Sequence, residues 1–104
     1  MEKIVEQGLL YDFYGELLTP HQKQIYEAIV YQDMSLGEIA QNMQISRQGV
    51  FDLVRRCDKI LVSYEERLHL IEKFSKVKDT VQRIEVISTQ KEIKDLANQI
   101  LEEL

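Results

Sequence analysis

The residues best placed to do chemistry sit in ISRQGVFDLVRR, residues 45–56, where a serine precedes an arginine–glutamine pair and an amphipathic run closes on two more arginines. Arginine can pair bidentately with guanine and glutamine with adenine, while further cations meet phosphates. If Ser46 caps a helix, Arg47 and Gln48 stand on its first exposed turn and Arg55, Arg56 and Lys59 lie farther along as phosphate contacts. The plain alternative is a solvated helix face. Other chemistry is poorly supplied. His21 and His69 have no Ser or Cys nucleophile motif beside them, and with the lone Cys57 they form no cluster at metal-ligand spacing. Cys57 continues an apolar stripe, and Glu65 with Glu66 reads as a pair of helix N-terminal acids, not a catalytic dyad. No glycine-rich phosphate loop is present. A non-enzymatic protein without metal or cofactor is expected.

Charge restricts the binding mode. The chain of 104 residues has Lys+Arg 13 against Asp+Glu 18, a formal net charge of −5. Bulk attraction to nucleic acid is therefore excluded, and any such binding must be local. The charge is uneven. Residues 1–34 carry Glu2, Glu6, Asp12, Glu16, Glu27 and Asp33 against Lys3 and Lys23, whereas residues 35–56 carry Glu38 and Asp52 against Arg47, Arg55 and Arg56. No signal peptide or membrane span is legible, so a soluble cytoplasmic protein without membrane insertion is expected.

The elements that must position these residues are helical. Every glycine (8, 15, 37, 49) and the single Pro20 fall in the first half, which leaves long helix for the second. Four capping boxes mark expected helix starts: Thr19 with Gln22, Ser35 with Glu38, Ser63 with Glu66, and Thr89 with Glu92. Pro20 suits the first helical position after Thr19. Apolar residues recur at helical spacing: Ile25, Tyr26, Ile29, Val30; then Leu36, Ile39, Ala40, Met43; then Val50, Leu53, Val54, Cys57. Residues 2–18 are apolar around much of the helix, implying cover on more than one side. The fold class is all-α, with a helix-turn-helix domain over residues 1–62 and a C-terminal helical extension over residues 63–104.

Residues 36–53 fit a helix-turn-helix: Ala40 is the small residue at the crossing, Ile39 and Met43 face inward, Ile45 is the buried turn position, and Val50 with Leu53 face the shared core. Gln44 stands where Gly is common, and Gly49 weakens the second helix by roughly 1 kcal/mol relative to Ala. LTPHQKQIYEAIV followed by MSLGEIAQNMQISRQGVFDLVRR resembles the promoter-reading C-terminal region of sigma factors. More narrowly, YDFYGELLTPHQ, SLGEIA, SRQGV and YEERLHLIEKF resemble the YlxM family across residues 10–74. Ser46, Arg47 and Gln48 match its motif, and Gly49 and Phe51 depart from its usual Ala and Tyr. The resemblance implies a small bacterial helix-turn-helix protein that acts in, or regulates, the signal recognition particle pathway. Its partners would be nucleic acid, either DNA or the particle's RNA, together with protein components of the particle. A DNA-binding transcription regulator and a protein-interaction module without nucleic-acid binding remain open beside it.

In the C-terminal extension, Leu68, Ile71, Phe74, Val77, Val81 and Ile84 recur at three- and four-residue steps, and after a break near Ser88 so do Ile93, Leu96, Ala97, Ile100 and Leu104. Such faces need cover. They either fold back on the first part or pair with a second copy, and the homodimer is the expected form, with Leu68, Ile71, Phe74, Val77, Ile93, Leu96 and Ile100 at its interface.

Overall fold

A computed structural model describes residues 2–104. Its helices are α1 (Lys3–Tyr14), α2 (Pro20–Val30), α3 (Leu36–Met43), α4 (Arg47–Leu68), α5 (Leu70–Ile87) and α6 (Lys91–Glu103), with a 3₁₀ turn at Gly15–Leu17 after α1. No strand occurs among the described residues, so the fold is all-α. The chain divides into two units, Met1–Leu68 and His69–Leu104.

In the first unit, α1, α2 and α3 each pack on α4. Two of the expected capping boxes start its helices. The Thr19 side chain accepts the Gln22 N–H while the Gln22 side chain accepts the Thr19 N–H, and Ser35 with Glu38 does the same for α3. Each cap satisfies backbone donors that would otherwise lack partners, an effect of about 1 kcal/mol. The core gathers Leu10, Tyr14, Ile25, Tyr26, Ile39, Val50, Cys57 and Leu61, all buried. Burying each large aliphatic among them contributes roughly 1.5–3 kcal/mol, so packing along α4 holds the unit together.

Two of the expected helix starts do not form. Ser63 begins no helix: α4 runs through it, and its hydroxyl donates to the Ile60 carbonyl at 2.7 Å. A mid-helix serine can bond back to the preceding turn in this way, so the Ser–Glu spacing there does not make a cap. α4 ends instead at His69, whose φ of 55° is left-handed and stops the helix. The Thr89–Glu92 box is absent as well. Gln90 precedes α6, and its N–H is accepted by Ser88 Oγ at 3.2 Å, a serine turn that takes over the junction. As the sequence implies, α1 is covered on more than one side, by α2 and by α4. It buries Gln7, Leu10 and Tyr14, whereas Ile4 and Val5 are exposed.

The second unit is a helical hairpin in which residues 88–90 connect α5 to α6. Within it only Val81 and Ala97 are buried apolar residues.

Candidate nucleic-acid interface

The turn between α3 and α4 spans residues 44–46. Gln44 adopts φ 56°, ψ 43°, the left-handed conformation that ends a helix, and the Ile45 N–H reaches back to the Ala40 carbonyl at 3.1 Å. Ser46 then caps α4, its Oγ accepting the Gly49 N–H at 2.9 Å. Ile39 and Ala40 of α3 and Val50 and Val54 of α4 are buried where the helices pack, with Met43 and Leu53 half-buried. Ile45 differs from expectation. It is 41% exposed.

Arg47 and Gln48 are exposed at the start of α4. A Cβ added to Gly37 would stand 3.6 Å from Arg47 Nε, so the arginine leans over the first turn of α3, in space that glycine leaves open. Gln48 Nε2 donates to Asp52 Oδ1 at 3.0 Å, which engages one amide proton and dilutes the acid on this face. One turn on, the Arg55 guanidinium lies 5.8 Å from the centre of the Phe51 ring, a cation–π contact that holds the side chain against the helix. Arg55, Arg56 and Lys59, with Asp52, line a shallow open depression of about 260 Å³. Among the described residues, none of Arg47, Arg55, Arg56 and Lys59 is in an ion pair. Arg55, Arg56 and Lys59 thus outnumber Asp52 and give this part of α4 a local excess of positive charge on an acidic chain.

The register of that face is fixed from behind by Asp58 and the two side chains that donate to it. Gln7 Nε2 donates to both Asp58 oxygens, at 3.0 and 3.2 Å, and the Tyr26 hydroxyl donates to Asp58 Oδ1 at 2.6 Å. Gln7 and Tyr26 are buried, and the three residues tie α1, α2 and α4 together. Burial, then the hydrogen bond to Asp58, pushes the Tyr26 pKa far upward. Three more tyrosines donate to carboxylates, Tyr11 to Glu27, Tyr14 to Glu65 and Tyr31 to Asp12. The signal for Asp58 was its place on the buried stripe Val50, Val54, Leu61, where a carboxylate requires donors.

No grouping of three or more His, Cys, Asp or Glu side chains suited to a metal occurs among the described residues. No helix among them is long and apolar enough to cross a membrane.

A three-residue turn, a serine-capped second helix and an outward basic face define a helix-turn-helix protein. Residues 1–102 match the UPF0122 family, described as "Putative helix-turn-helix protein, YlxM / p13 like". The chain belongs to that family. Similar proteins include the UPF0122 protein of Oceanobacillus iheyensis, 40% identical over 93 residues that cover 89% of each chain. Another, from Geobacillus sp. strain WCH70, is 42% identical over an alignment of 108 residues covering 100% of this chain and 98% of the relative. The relative from Caldanaerobacter subterraneus subsp. tengcongensis is 46% identical over 76 residues, 73% of this chain and 65% of its own.

Proposed function

We propose that this protein is a non-enzymatic, cytoplasmic regulatory factor that binds nucleic acid through the outer face of α4 and serves the signal recognition particle pathway as an accessory. The observation that carries the reading is the Ser46-capped start of α4, where Arg47 and Gln48 are exposed, with Arg55, Arg56 and Lys59 grouped farther along the helix and, among the described residues, no ion pair to any of the four cations. Arg47 and Gln48 reach base edges, and Arg55, Arg56 and Lys59 contact phosphates. Gln48 exchanges its bond to Asp52 for one to a base. Against the overall charge of −5, the few phosphate contacts give weak binding that salt removes readily.

The connection to protein targeting rests on the resemblance to the YlxM family. The test is a titration of the full chain against labelled duplex DNA and against the particle's RNA at rising salt, with a pull-down from bacterial lysate before and after nuclease treatment. RNA binding, with capture of particle components that nuclease abolishes, supports the reading. A preference for one DNA sequence that survives competitor DNA makes the protein a transcription regulator instead. No binding to either ligand at low salt makes it a protein-interaction module.

A further inference from the structure

The helical hairpin carries an apolar face that its own two helices leave exposed. Val81 of α5 and Ala97 of α6 are its buried residues and mark the line along which the two helices meet. At roughly 100° per residue, Val77 and Ile84 are displaced from that line by a modest rotation of α5, and Ile93, Leu96, Ile100 and Leu104 by a rotation of the same sign in α6. The connection of residues 88–90 makes the helices antiparallel, and rotations of equal sign on antiparallel helices point to the same side. These six side chains therefore share one broad face, each 38–54% exposed. Together they leave on the order of 500 Å² of apolar surface open, at the upper end of what a monomer shows and over half of what one partner contributes to a stable interface.

Charge selects the occupant. On the α5 border of the face stand Lys73 and Lys76; on the α6 border stand Glu92 and Glu103. Lys76 already meets Glu72 within α5 at 3.0 Å, an exposed contact that leaves it available to a second acid. The surface is thus basic along one edge and acidic along the other, which makes it complementary to itself after a two-fold rotation. We propose that the face pairs with that of a second copy of this chain, α5 of one protomer lying antiparallel over α6 of the other about a two-fold axis parallel to the helices. Lys76 of each protomer then falls level with Glu103 of its partner, since Val81 and Ala97 set the level of the two helices. Of the residues expected at a dimer interface, Val77, Ile93, Leu96 and Ile100 lie on this face. Phe74 is half-buried close to the line of contact, Ile71 is turned to the opposite side, and Leu68 belongs to α4. The inference is independent of nucleic-acid binding.

Sedimentation of the full chain over a range of concentrations tests it, with helix content followed by circular dichroism. Wild type sediments as a dimer at micromolar concentration. Leu96→Glu and Ile100→Glu each weaken the dimer at least tenfold, because each buries a charge without a partner. Lys76→Glu and Glu103→Lys touch no core residue; each raises the dissociation constant several-fold, and the double exchange restores it. Monomer mass throughout, or a dimer indifferent to Leu96→Glu and Ile100→Glu, overturns the pairing. If α5 instead lay on α5, Lys76→Glu would relieve repulsion and tighten the dimer, and that result overturns the proposed arrangement.

Discussion

Removing Asp58 tests the claim that a buried polar group sets the register of α4. Asp58→Ala takes away the acceptor for the Tyr26 hydroxyl and for the Gln7 amide, whose side chains are both buried. A buried donor left without a partner costs about 1–3 kcal/mol. Two such donors set the expected loss at about 2–6 kcal/mol, a large share of the roughly 5–15 kcal/mol that holds an ordinary domain together. Tyr26→Phe removes one donor and leaves the carboxylate bonded to Gln7, so its cost is smaller, about 1.5–3 kcal/mol for a hydrogen bond to a charged acceptor. In the double variant the Tyr26 donor is already gone. The two losses must therefore fall short of additivity by about 1 kcal/mol or more. Urea unfolding followed by circular dichroism measures all three. A loss below about 0.5 kcal/mol for Asp58→Ala, the size of an ordinary surface change, together with strict additivity, would refute the reasoning.

Three further outcomes follow from the same geometry. Gln44→Gly should raise stability by about 1 kcal/mol, because glycine adopts the left-handed conformation of Gln44 without steric cost; a loss in urea unfolding would show that the Gln44 side chain matters there. Gly49→Ala gains helix propensity, yet its new Cβ would lie 3.1 Å from Ser46 Oγ, so the gain should stay below the usual ~1 kcal/mol and reach it only alongside Ser46→Ala; equal gains in both backgrounds would contradict this. Stability should fall as pH rises above about 9. Burial, then Asp58, pushes the Cys57 thiol from 9.0 up to about 11, against a smaller opposing effect of Arg56. Between those values the unfolded chain releases a proton that the folded chain retains, so unfolding becomes easier, and the raised tyrosines Tyr26 and Tyr11 continue the trend at higher pH. Urea midpoints at about pH 8 and about pH 10.5 read this directly, and equal midpoints would contradict it.

What could be read from the sequence was what neighbouring residues decide among themselves. Thr19–Gln22 and Ser35–Glu38 act within one turn, and so does the cap of Ser46 on Gly49; the helix-turn-helix was legible because its signals are local. The same spacing at Ser63 and Glu66 misled, because a continuous buried stripe through Val54, Cys57 and Leu61 carries α4 past it and leaves the serine nothing to cap. Asp58 escaped for the opposite reason. Its partners lie 51 and 32 residues away in the chain, and only the packing of α1 and α2 against α4 brings them to it. Ile45 is expected inside from its place in the turn and is 41% exposed, a matter of packing that no neighbouring residue signals. The basic face was visible in composition, and the structure adds which of its members engage neighbours: Gln48 with Asp52, Arg55 with Phe51, and Arg47 over Gly37.

The central claim is that the outer face of α4 binds nucleic acid, with Arg47 at base edges and Arg55 on the backbone. The most direct measurement is a titration of wild type, Arg47→Ala and Arg55→Ala with several labelled duplexes and a structured RNA at two salt concentrations, folding being verified by circular dichroism. Arg47→Ala should cost about 1–3 kcal/mol on the preferred ligand and relax the preference. Arg55→Ala should weaken every ligand alike and lower the salt slope by about 1. Affinities and salt slopes that both substitutions leave unchanged would contradict the claim and move any binding site off this face.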